Sequence, residues 1–346
     1  MQRSPVGTQF RDVTRLPMSL PVLASLACLT ALGCSDAASP GDAEPPVLNE
    51  ALAGPIFPPD NWWNLDISGA SLDAGSPDLI DWICDRAAPT DPCDATLHPD
   101  FGPPPYGIPY MGVSGDEPLE PISFVLYGDQ SDAGAAGRPE GYPIPIRVRT
   151  EAGWIEGGAA GGGSSGDRHL IVVDRDRRLL FELWATRWTG GGWEAGSGAV
   201  FDLDTNDRRP DGWTSADAAG LAILPGLVKV HEVESGDPIR HAFRVTVRDT
   251  DGYVWPASHA AGSNPDAPPM GTRLRLKASV DTSGYPPSLR RVFIAMQTHG
   301  LIVADNGTDM YVQGTMDERW DNGVLNPAFH SLKADDFEVI EPGWEP

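Results

Sequence analysis

Positive charge is scarce in this chain: 25 Lys and Arg stand against 49 Asp and Glu, a formal net charge of −24. A surface of that sign repels nucleic acid and anionic lipid headgroups, so no nucleic acid partner is expected. Cysteine is scarcer still, 4 in 346 residues. HExxH is absent, and no two histidines stand at a spacing that marks a metal site. No repeat of 20 to 50 residues occurs, and no composition break follows residue 57, which leaves a single domain as the simpler organisation. Long helices are also disfavoured, because 39 Gly and 34 Pro interrupt the chain with turns. That balance predicts a mainly β fold, a β-sandwich or jelly-roll-like core with a few short appended helices.

What is present at the N-terminus is an address. Arg3, Arg11 and Arg15 precede the apolar run LPMSLPVLASLACLTALGC, which Pro17 and Pro21 interrupt and which is too short to span a bilayer comfortably. The segment resembles a bacterial lipoprotein signal. Ala31, Leu32 and Gly33 precede Cys34, with Ala31 where that pattern has leucine, and Cys28 after Ser25, Leu26 and Ala27 is a weaker alternative. Residues 1–34 are therefore expected to be a leader, with Cys34 lipidated and the membrane touched only through that anchor, or else a plain secretory signal. Either way the mature protein works outside the cytoplasm. Residues 35–56, rich in Pro, Ala and Asp, read as a disordered tether, and 57–346 as the folded domain. In an oxidising compartment Cys84 and Cys93 are expected to close a disulfide around CDRAAPTDPC.

Within the domain, SPDLIDWICDRA and PSLRRVFIAMQTHG read as helices, the second with Leu289, Val292, Phe293 and Met296 on one face. SADAAGLAIL reads as a short helix stopped by Pro225 and Gly226. PISFVLYG, YPIPIRVR, HLIVVD, RLLFELWATRW, GAVFDL, HAFRVTV, YVWPA and RLRLKASV read as strands. Asp251-Gly252 and Asn306-Gly307 are hairpin signals. GGAAGGGSSG at 157–166 reads as a flexible loop. It contains a GxSxG match, but without the strand before and helix after that a nucleophile elbow needs.

The densest cluster of chemistry-bearing residues is VFDLDTNDRRPDGWTSADAAGLAILPGLVKVHEV. There Asp217 either completes a helix cap or serves as an ionised base or nucleophile beside a stacking surface at Trp213. Glu182 alternates with Leu180 and Trp184 on a strand, where lost solvation would raise its pKa and suit a general acid; the other reading is an exposed or Arg-paired edge residue. Glu232 and Glu234 alternate with valines and are expected to face water. His169, His241 and His259 each lie near a strand end, as structural histidines, as substrate contacts, as a base in the case of His241, or together as a zinc set. Asp202, Asp204 and Asn206 have the alternation calcium prefers, yet Asp207 and Trp213 occupy the positions where an EF-hand needs Gly and Glu, so only an irregular calcium loop remains. Arg273, Arg275 and Lys277, with Arg244 and Arg248 on another strand, either pair with carboxylates or hold an acidic glycan. Asp305 in ADNGTD is most simply part of a turn.

The strings RPDGWTSADAAGLAILPGLVKVHEV, IRHAFRVTV, YVWPASH, PPMGTRLRLKAS and HGLIVADNGTDMYVQGTMDERWDN together resemble an uncharacterised family of secreted bacterial proteins, over about residues 56 to 340. The resemblance implies a single secreted domain and transfers no reaction, substrate or catalytic residue.

Export, 11 Trp, a β-rich pattern and the carboxyl pair Glu182 and Asp217 point to a carbohydrate-active enzyme. The expected reaction is glycoside hydrolysis, with Trp213 and Trp255 stacking on a polysaccharide or glycan substrate and no obligatory cofactor, calcium aside. A lyase is the close variant, with His241 as base and Arg244 or Arg273 neutralising a uronate. The alternative is a non-catalytic glycan- or envelope-binding surface lipoprotein.

Overall fold

The computed structural model describes residues 46–52, 55–86, 88, 90–134 and 137–344. The leader, the lipidation candidate Cys34 and most of the expected tether lie outside them. The tether's last part is ordered: β1 (Val47–Leu48) pairs antiparallel with β3 (Tyr110–Val113). Asn49 donates to the Met316 carbonyl at 2.7 Å and accepts from the Tyr110 N–H at 3.2 Å. The folded unit thus begins about ten residues before the expected Phe57.

Among the described residues the chain is mainly β with four short α-helices, as its composition indicates. One sheet runs β1-β3-β5-β6-β9, with β5 Leu170–Asp174, β6 Leu179–Trp184 and β9 Ser197–Asp202. A six-stranded sheet runs β14-β11-β12-β10-β13-β2, built from Phe337–Val339, Arg273–Leu276, Leu301–Asn306, Phe243–Val247, Tyr311–Gln313 and His98–Asp100. A third, small sheet joins β4 (Ile122–Phe124), β8 (Trp193–Ala195) and β7 (Arg187–Trp188). All three are mixed or carry a parallel pair, among them β3·β5 and β10·β12.

The five-stranded sheet separates two cores, and its alternation shows how. Tyr110, Ile171, Val173 and Leu180 face the large core shared with the six-stranded sheet, whereas Met111, Leu170, Val172, Phe181 and Leu183 face a smaller one beneath the third sheet. Glu182 shares the face of Leu180, so it is driven into the large core. Helix α1 (Ser76–Ile83) starts with Pro in its first turn, where the missing N–H costs no hydrogen bond, and ends at Cys84, which is bonded to Cys93. Helix α3 (Pro287–Thr298) buries Leu289, Val292, Phe293 and Met296 as its spacing predicts. It stops at Gly300, whose φ of +81° would strain any side chain.

Several local expectations fail for non-local reasons. Residues 215–224 form no α-helix, because Ser215 Oγ donates to the Leu221 carbonyl at 2.6 Å and accepts from the Asp217 N–H at 2.9 Å, closing a compact turn instead. Gly220 (φ +75°) finishes it, with no room for a Cβ against Ser258. KVHEV is not an exposed alternating strand but opens helix α2 (Val230–Ser235). YPIPIRVR and YVWPA form no strands. Asp251-Gly252 makes only a single bridge to Ser263, and Asn306-Gly307 joins no hairpin, since β10 lies between β12 and β13. The 157–166 loop packs closely: Gly162 is buried, and a Cβ there would lie 2.2 Å from the Thr186 carbonyl oxygen.

Candidate functional site

Beside the end of β6, the start of β9 and the end of β12, a cleft of about 200 Å³ opens, lined by Tyr127, His169, Trp184, Asp217, His259 and Asp305. Tyr127, just past β4, and Trp184, ending β6, form aromatic walls with ring centroids 6.3 Å apart. Tyr127 also meets the His259 ring edge-on at 6.4 Å. Asp305 comes from the end of β12, and Asp217 from the turn that replaces the expected helix.

Beneath the cleft lies Arg244, fully buried on β10. Its Nη2 hydrogen-bonds Asp217 Oδ1 and lies 3.8 Å from Asp305 Oδ2, while Nη1 donates to Gln313 Oε1. One guanidinium therefore organises two carboxylates. Burial pushes the Asp217 carboxyl up, to about 7, with Arg244 pulling it back. Asp217 Oδ2 has no hydrogen-bond partner among the described residues, an exceptional state for a buried oxygen. Asp305 is the accessible member, its side chain 29% exposed, and burial raises its carboxyl against the same Arg244.

His169 stands beside them as a cation. Burial opposes its charge, but Glu156 at 2.7 Å outweighs burial and lifts the imidazole to about 9. Its other nitrogen donates to the Ala216 carbonyl at 3.1 Å, so the imidazolium has both protons used. His259 is arranged differently. Its Nδ1 donates to the Ala218 carbonyl at 2.8 Å, which leaves Nε2 with no partner among the described residues. The imidazole that can accept a proton from a bound molecule is that of His259.

The expected trio of Glu182, Asp217 and His241 does not converge. Glu182 is buried behind the cleft, where its carboxylate accepts the N–H groups of Ile223 at 2.8 Å and Leu224 at 2.9 Å. Burial raises it to about 7, and those two N–H groups restrain the rise. The environment inferred from alternation is present, but a backbone turn occupies the carboxylate. His241 belongs to a separate cluster, with Nε2 3.0 Å from Glu232 and 3.3 Å from Lys229. Glu232 was expected to face water; instead Lys229 and His241 overcome its burial and hold it down to about 2.

The other expected contacts are dispersed too. Trp213 lies in a neighbouring depression with the Arg209 guanidinium 5.4 Å from its ring, although the adjacent Thr214 lines the cleft. Trp255 packs edge-on against Trp62 and lines a different cavity, together with the buried Arg273. Arg275 pairs with Glu338 at 2.7 Å, and Lys277 donates to the Asp335 carbonyl. The irregular calcium loop does not assemble: Asp202 accepts from the Asp204 N–H, Asp204 pairs with Arg178 and Asn206 bonds Asn61 and Asp60. The zinc set is undone in the same way, since His169, His241 and His259 hold different partners. Among the described residues, only Cys84, Cys93 and Asp335 form a metal-sized group of ligands, and both cysteines are in the disulfide.

Asp305, Tyr127 and Trp184 went unrecognised as site residues from sequence. The one available signal was Asp305 at the polar end of an apolar strand, a position turns share. No protein-family model, curated protein or solved structure matches this chain.

Proposed function

We propose that the protein is an exported carbohydrate-active hydrolase, tethered at Cys34, that cleaves a glycosidic bond in the Asp305–His259 cleft. The observation that carries this reading is that cleft: aromatic walls enclose an accessible carboxyl raised by burial and an imidazole with a free Nε2. Stacking on Tyr127 and Trp184 suits a sugar ring. Asp305 in its acid form gives its proton to the leaving glycosidic oxygen as the carbon–oxygen bond breaks. His259 Nε2 takes a proton from the water that attacks the anomeric carbon, and the two products separate with the atoms of one water added.

The charge balance favours hydrolysis over the lyase variant. A lyase must neutralise a uronate, but the two cations at this cleft, Arg244 and His169, are already committed to Asp217 and Glu156. With Asp167 also lining it, the cleft is rich in acceptors and suits a neutral or amino sugar.

The test is a panel of neutral, amino and acidic polysaccharides scored for new reducing ends and for unsaturated products. Cleavage of a neutral or amino member is expected, with Asp305→Asn and His259→Gln each lowering turnover about 10²- to 10⁴-fold while leaving the melting temperature nearly unchanged. Binding to one glycan without cleavage would replace this reading by the non-catalytic binder. Unsaturated products would restore the lyase.

A further inference from the structure

A second buried arginine has a very different setting. Arg273 on β11 is 5% exposed. Its Nη2 donates to the His299 carbonyl at 3.1 Å, and its Nε and Nη1 have no acceptor among the described residues. No described carboxylate lies within ion-pair distance of it. Arg273 lines a cavity of about 90 Å³ together with Trp255, Pro269, Thr272, Ile340 and two acidic residues, Asp73 and Glu341, neither of which forms an ion pair with it.

A guanidinium stays charged at any pH a folded protein meets, so burial cannot be relieved by losing the proton. An unpaired charge taken out of water is among the most costly arrangements in a protein interior. The cavity beside it is too small for a sugar ring, yet it exceeds the roughly 30 Å³ that one water occupies in the liquid. We infer that Arg273 and this cavity form a binding site for a small monovalent anion, a halide or the carboxylate of a short acid, whose charge completes the buried guanidinium. This site is separate from the Asp305–His259 cleft, and its existence does not depend on what that cleft does.

The experiment measures thermal unfolding of the full chain at fixed ionic strength, replacing gluconate, too large for the cavity, by chloride, bromide or formate. A rise in melting temperature of about 4 °C, saturating with anion concentration, is expected from linkage. In Arg273→Met the dependence should vanish, and the variant in gluconate should melt no lower than wild type, because the uncompensated charge is gone. Should that variant fail to fold, wild-type crystals soaked in bromide provide the readout, with an anomalous peak next to the Arg273 guanidinium. Melting temperatures identical in all four anions overturn the inference, as does a cavity that holds only ordered water in the bromide soak.

Discussion

Arg244 and Arg273 occupy one rung of one sheet, flanking Ile302 of β12 on opposite sides, and both are buried. Arg244 is matched by Asp217, Gln313 and Asp305; Arg273 has a single carbonyl. The difference lies in the segments packed over each side chain. Over Arg244 pass the 213–218 turn and the end of β12, each delivering an aspartate. Over Arg273 pass Trp255, Pro269 and the 339–343 segment, whose described side chains form no ion pair with it. A buried charge whose counter-charges are built in makes a prearranged site, whereas one without them must take its partner from solution.

The sharpest way to break that comparison is to remove each cation in turn. Arg244→Met leaves Asp217 buried with no partner and should cost about 3–5 kcal/mol in denaturant unfolding. Arg273→Met should cost nothing in the absence of small anions. Equal losses from the two substitutions would mean that both arginines act through packing alone.

The next effect comes from His169, the other cation at the cleft. Its folded pKa of about 9 exceeds the ordinary 6.5, so it contributes stability that is fully present below pH 6.5 and is lost as pH rises through 9. The shift corresponds to about 3 kcal/mol. Denaturation midpoints between pH 6.5 and 9.5 should fall for wild type and flatten for His169→Gln. A wild-type curve as flat as that of the variant would show that Glu156 does not hold a charged imidazole.

Glu182 gives the smallest of these effects and separates the two carboxyl settings. Glu182→Gln turns an amide donor toward the Ile223 N–H and should cost about 2 kcal/mol. Because the side chain lies outside the cleft, turnover at temperatures where the variant is folded should stay within about twofold. A loss comparable to that of Asp305→Asn would return Glu182 to the chemistry.

Much of this was legible locally. Period-two alternation in LLFELW put Glu182 on the face of Leu180 and Trp184 and left burial and an exposed edge both open, spacing gave α3, and the expectation of an oxidising compartment gave the Cys84–Cys93 bridge. The cleft was not, because it depends on contacts between segments distant in sequence. Asp305 looked like a hairpin residue until β10 came between β12 and β13. Asp217 looked like a helix cap because Ala-rich propensity cannot register the buried Ser215 hydrogen bonds that hold the turn. His259 was distinguished from His169 and His241 only by the partner that each ring nitrogen finds.

The central claim is that ligand meets His259 Nε2 in the aromatic-walled cleft. A long-range ¹H–¹⁵N spectrum of the histidine side chains, recorded with and without an oligosaccharide from the panel, tests it directly. The expected result is a His259 ring with a proton on Nδ1, its Nε2 resonance moving as sugar is added while His241 stays in place. An Nε2-protonated tautomer at His259, or sugar-dependent shifts confined to His241, would contradict it.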